Sequence, residues 1–121
     1  MSFTSADLPR VRRRTVAWAM RAGMSAEAAD DFVIAVNEIA TNAVRHGSPQ
    51  ASLRLWVSGG AGVAEIRDSG QWTAVMSPTP LPRRPAEQGG MGLEVARLVC
   101  DGLQIKATSA GTCVLLRMAL R

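Results

Sequence analysis

The chain has one lysine, Lys106, one histidine, His46, and two cysteines, and it has no long apolar run. Each scarcity excludes something. No stretch approaches the roughly 20 apolar residues that span a bilayer, and the N-terminus lacks the apolar core of a signal peptide. A cytoplasmic protein with no membrane partner is therefore expected. Cys100 and Cys113 show no metal-ligand spacing and no partner histidines, so they are expected to be buried apolar filler in a reducing compartment. With so little lysine, the net charge of +4 rests on arginine. A GC-rich coding sequence produces that bias as readily as selection for phosphate contacts. The densest cluster, Arg10, Arg12, Arg13 and Arg14, has no interleaved aromatics and covers one turn. It reads as a solvated helix face, with no direct nucleic-acid partner.

What is present suits one compact domain over residues 1–121: 47% of the chain is apolar, enough for a core without metal or disulfide staples. Residues 8–22 predict a helix opening at Pro9, with Val11, Trp18 and Ala19 or Met20 at helical spacing and a stop at Ala22-Gly23. Ser25 is placed to cap a second helix running to about Arg45, with Asp30-Asp31 a place where it could break and Gly47-Ser48-Pro49 ending it. Residues 51–57 alternate, with Leu53, Leu55 and Val57 on one side and Arg54 and Trp56 on the other, as a strand does. Gly59-Gly60-Ala61-Gly62 reads as the turn into a returning strand, Val63 to Asp68. Residues 70–90, with Pro78, Pro80, Pro82 and Pro85, form a loop too long for an ordinary connection. A helix over Gly92 to Asp101 and two strands, Leu103 to Ala107 and Thr112 to Leu120, complete the chain. This order lacks strict strand–helix alternation, so the expected fold is an α+β two-layer sandwich, with helices on one face of a mainly antiparallel sheet.

Three segments carry candidate chemistry. In FVIAVNEIATNAVRHG, Phe32, Val36, Ile39 and Ala43 should face the core, while Glu38, Asn42 and His46 follow at four-residue intervals. Each drifts only about 40° from the last around the axis, giving a polar stripe beside the apolar face, where it either lines a cleft or forms ordinary helix surface. An asparagine oxygen suits Mg²⁺, and a glutamate can accept a hydroxyl proton. Asp68-Ser69-Gly70 ends a strand, where the carboxylate can accept a hydrogen bond from an exocyclic amine and Gly70 leaves room for a planar ligand; a tight Asx-type turn is the alternative. Gly89-Gly90-Met91-Gly92-Leu93 precedes a helix, as phosphate-cradling glycines do, although glycine hinges look similar. It is neither a Walker A loop nor a dinucleotide fingerprint.

Together and in this order, the three segments resemble the GHKL ATPases: gyrase, chaperone, histidine-kinase and mismatch-repair ATP sites. Glu38 to Asn42 matches the N box, Asp68-x-Gly70 the start of the G1 box, Gly90-Met91-Gly92-Leu93 the G2 box and Gly111-Thr112 the last G box. Within that group, Glu38 through Gly47 (E-x-x-x-N-A-x-x-H-G) is similar to the short bacterial anti-sigma-factor serine kinases. The resemblance implies a Bergerat-type ATP-binding fold with ATP and Mg²⁺ as cofactors. It gives Asn42 to the metal bridging the phosphates, Asp68 to the adenine amine, Gly70 to close ring approach and Thr112 to the adenine surroundings. Gly90 and Gly92, with Met91 and Leu93 beside them, would hinge an ATP lid, and Glu38 would be the general base. His46 would be structural or site-lining, and Arg45 a candidate phosphate or partner contact. The implied partners are a sigma factor and its STAS-type anti-sigma antagonist, and the implied assembly is a homodimer. A non-catalytic, nucleotide-gated protein-binding module is the other reading. Two features depart from the family pattern. Trp72 stands where the G1 box carries a further glycine. Ser2 to Leu8 is barely long enough for the usual first strand, which would leave a sheet edge open to dimerisation or partner addition.

Overall fold

The computed structural model describes residues 1–47, 50–69, 100–108 and 111–120. Among the described residues, two α-helices, α1 (Leu8–Ala22) and α2 (Ala26–Asn42), lie on one face of a five-stranded antiparallel sheet. The strands are β1 (Ser2–Phe3), β2 (Ala51–Ser58), β3 (Ala61–Asp68), β4 (Gly102–Thr108) and β5 (Gly111–Ala119), in the order β1-β2-β3-β5-β4. This is the expected α+β sandwich.

Local chemistry sets the helix ends. Gly23, at φ 95°, stops α1: its N–H donates to the Met20 carbonyl at 3.2 Å and the Met24 N–H to the Ala19 carbonyl at 3.1 Å. These two bonds form a Schellman motif, and glycine takes the left-handed position without a Cβ penalty. The Ser25 hydroxyl accepts the Ala28 N–H at 3.1 Å and caps α2. Ahead of α1, the Asp7 carboxylate accepts the Thr4 N–H at 3.0 Å, which holds Asp7 below its ordinary pKa.

The helix–sheet interface is the core. Phe32, Val36 and Ile39 of α2 are fully buried, as are Val11 and Ala19 of α1. Between α1 and α2, Ala19 takes the buried position that the sequence left open with Met20, which is exposed. The Trp18 and Phe32 rings meet at 5.9 Å between centroids. From the sheet, Leu53, Ala64, Ile66, Val114 and Leu116 close the core. Alternation then sends the intervening side chains to the opposite face.

Three expectations are corrected. Asp30-Asp31 does not interrupt α2, because both residues lie in a continuous run from Ala26 whose apolar face is packed on both sides of them at Ala29 and Phe32. The α-helix stops at Asn42, and residues Ala43–Gly47 wind as a π-helical turn. The β2–β3 turn is only Gly59-Gly60, at φ 59° and 76°, with Ala61 and Gly62 already paired in β3. Two residues with positive φ match the right-handed strand twist, which a longer turn does not need to do. Gly62 is kept small from the other layer: a Cβ there would lie 3.1 Å from the Trp18 ring.

Candidate functional site

Asn42 is the last residue of α2 and is 3% exposed. Its Nδ2 has no hydrogen-bond partner among the described residues, and neither has Asn37 Oδ1 one turn earlier. A buried amide donor left unpaired costs about 1–3 kcal/mol. Glu38, half-buried, borders the same apolar face. The π-helical turn that follows packs on β3, and such turns recur at functional sites because they re-aim the residues around them. His46 falls within that turn, and its side chain lies outside the described residues.

The sheet supplies the other half. Asp68 at the end of β3 pairs directly with Thr112 at the start of β5. Both sit on the helix-facing side, in step with the buried Ile66 and Val114, and are 9% and 1% exposed. Gly111 holds this corner together. At φ 138° it accepts the close approach of the Asp68 backbone, and a Cβ there would collide with the Asp68 carbonyl oxygen and lie 2.7 Å from Ser69 Cα. The sequence shows the glycine but not this contact, since Gly111 and Asp68 are far apart in the chain.

The other candidates, Gly70, Gly90, Met91, Gly92 and Leu93, together with Trp72, lie outside the described residues. A hollow of about 530 Å³ reaches Asp68, Ser69, Gly111 and Thr112, but neither Glu38 nor Asn42 lines it. Its remaining wall is the sheet face away from the helices, with Ser52, Arg67, Lys106 and Cys113. It is therefore not the interlayer cleft that the N-box and G1-box resemblance implies. On that wall the Glu65 carboxylate accepts from Arg54 at 3.3 Å and Arg67 at 3.2 Å. Burial and then the neighbouring Glu65 push the Cys113 thiol above its usual range. Cys113 is thus not apolar filler: it faces a carboxylate on the far face, whereas Cys100 is half-buried against the core as expected. Among the described residues there is no cluster of three or more acidic, histidine or cysteine side chains able to hold a metal. No described helix is long and apolar enough to cross a membrane.

A buried amide with an unpaired Nδ2 at the end of α2, and a carboxylate and a threonine paired across β3 and β5, are the described polar groups buried within an α+β sandwich at the positions the resemblance names. Over residues 1–118 the chain matches the family model of the histidine kinase-like ATPase domain, and it belongs to that family. The RsbU and RsbW domains of Rv1364c from Mycobacterium tuberculosis match with a TM-score of 0.69 at 23% identity, covering 99% of this chain and 32% of that one. The blue-light activated histidine kinase EL346 of Erythrobacter litoralis matches at 0.58 and 22% identity, over 80% of this chain and 32% of that one. The histidine kinase AdeS of Acinetobacter baumannii matches at 0.56 and 9% identity, over 100% and 67%. The chain thus spans about a third of the first two. No curated protein matches it.

Proposed function

We propose that the chain is an ATP-binding anti-sigma-factor serine/threonine kinase, which sequesters a sigma factor and phosphorylates an anti-sigma antagonist. The observation that carries the reading is the buried Asn42 at the end of the N-box helix, whose Nδ2 has no hydrogen-bond partner among the described residues and is a donor open to an acceptor on a bound nucleotide. In a histidine kinase-like ATPase domain, a stability cost at that position is offset by ligand binding. The E-x-x-x-N-A-x-x-H-G run from Glu38 to Gly47 supports the anti-sigma branch, and a chain carrying an RsbW domain is among the fold matches.

In this reading Asp68 accepts the adenine amine and Thr112 flanks it across the β3–β5 ladder. Gly111 keeps both in register. Asn42 holds Mg²⁺, which supplies charge neutralisation at the phosphates when bound. Gly70 permits close approach of the ring, Gly90 and Gly92, with Met91 and Leu93 beside them, hinge the lid, and His46 is structural or site-lining. Glu38 accepts the proton of the attacking serine hydroxyl. Rate acceleration then rests on positioning and charge neutralisation rather than on covalent chemistry by the protein. One sequence feature, Trp72 in the G1 box, favours a second reading, in which the domain binds nucleotide to gate a protein contact without transferring phosphate.

Incubation with labelled ATP, Mg²⁺ and a STAS-type antagonist tests the assignment. The kinase yields phosphoserine on the antagonist, and Glu38→Gln abolishes transfer while ATP still raises the melting temperature. ATP binding by the wild type with no transfer to any antagonist selects the gating module. Absence of any thermal response to ATP with Mg²⁺ overturns both.

A further inference from the structure

The face of the sheet away from the helices carries side chains to which the nucleotide reading assigns no role. The strand registers lay its side chains out in rows. Trp56 pairs with Val63, Val63 with Arg117, and Arg117 with Gly102. In the next row Arg54 pairs with Glu65, Glu65 with Leu115, and Leu115 with Gln104. The third row runs Ser52, Arg67, Cys113, Lys106.

Two properties follow. Gly102 leaves a gap at the end of the first row, and a groove of about 450 Å³ opens there over Trp56, Val63 and Leu115. Arg54 sits 5.3 Å from the centre of the Trp56 ring and fixes the wall of the groove. The rows also hold four cations, Arg54, Arg67, Lys106 and Arg117, against one carboxylate, Glu65. Arg54 and Arg67 already engage Glu65. Neither Lys106 nor Arg117 has a carboxylate partner among the described residues, and Arg117 only donates to the Ser58 carbonyl at 3.4 Å.

We propose that this face docks an acidic protein segment, which places one apolar side chain in the groove over Gly102 and its carboxylates against Arg117 and Lys106. Rows two residues apart along a strand are separated by about 6.8 Å. Arg117 and Lys106 stand two rows apart, so carboxylates up to about four residues from the apolar anchor meet them in an extended partner. A second copy of the chain is the wrong occupant, because like faces would bring two sets of excess positive charge together. Single-stranded nucleic acid is also disfavoured: the face offers one aromatic ring rather than a stacking ladder, and the Glu65 carboxylate lies in the middle row.

The probe is a labelled peptide rich in glutamate and aspartate with one central leucine, added to the full chain without nucleotide. Its counterparts carry lysine for the acidic residues, or serine for the leucine. The acidic, leucine-bearing peptide should bind, shift the Trp56 indole resonance, and weaken as salt rises. Arg117→Glu and Lys106→Glu should each weaken it several-fold. Gly102→Leu should abolish binding by filling the groove; a Cβ there meets only ordinary contacts, the nearest at 3.7 Å from Arg117. A thermal melt and an unchanged response to ATP confirm that each variant is folded, and this separates failure here from failure of the nucleotide reading. The proposal is overturned by no binding, by equal binding of the lysine peptide, or by resonance shifts away from Trp56. Tighter binding of a single-stranded oligonucleotide, or self-association that Gly102→Leu dissolves, overturns it as well.

Discussion

At Gly111 a single methyl group would stand where the Asp68 carbonyl and Ser69 Cα already are. Gly111→Ala is therefore expected to cost about 1–3 kcal/mol in urea unfolding. It should also lose nucleotide-dependent stabilisation, because the residue displaced is Asp68. Asn42 makes the opposite prediction. Replacing a buried amide whose Nδ2 is unpaired by an apolar group of similar size removes the desolvation cost of that donor, so Asn42→Leu should gain up to about 1 kcal/mol without ligand. The same variant should no longer be stabilised by ATP with Mg²⁺, and thermal melts with and without nucleotide read both effects. Cys100 gives a pH signature. Burial, with Asp101 and Asp31 nearby, raises its thiol from the ordinary 9.0 to about 12. The unfolded chain loses this proton first, so the folded state loses stability as pH rises from about 9 toward 12. Cys100→Ala should flatten that slope relative to wild type in alkaline urea titrations.

Among the elements, the helix ends are the parts most open to a sequence reading, because the chemistry that ends them is local. Removing the hydroxyl that accepts the Ala28 N–H, as in Ser25→Ala, should cost about 1 kcal/mol, measured by equilibrium unfolding. Gly23 and Ser25 could be read directly as stop and cap because every partner lies within five residues. Gly62 could not. In sequence it extends a run of turn-forming residues, but its place in β3 is fixed by Trp18 and Met24 packing from the helix layer. The π-helical turn after Asn42 was equally hidden, since it answers to packing against β3 rather than to any local propensity. The stripe of Glu38 and Asn42 beside the apolar face was legible from spacing alone. That Asn42 is buried, with its Nδ2 unpaired among the described residues, was not, because burial depends on the packing around it.

For the whole molecule, the layer order followed from alternation and helical spacing, whereas the strand order β1-β2-β3-β5-β4 did not. Periodicity says which face of a strand is apolar but not which strand lies beside it. The open sheet face escaped notice for the same reason: its cations are scattered along three strands, and only the registers gather them.

The ladder between β3 and β5 joins segments separated by the whole stretch from residue 69 to residue 110. Such non-local pairings bear a loop-closure cost before they gain contacts, and they tend to form late. The corner built by Asp68 and Thr112 has no counterpart in a chain where that ladder is open. A nucleotide gripped there would act as a clasp on the slowest-formed seam of the protein, lengthening its lifetime against unfolding while leaving its refolding speed nearly untouched. Stopped-flow unfolding with and without ATP should find the change almost wholly in the unfolding limb.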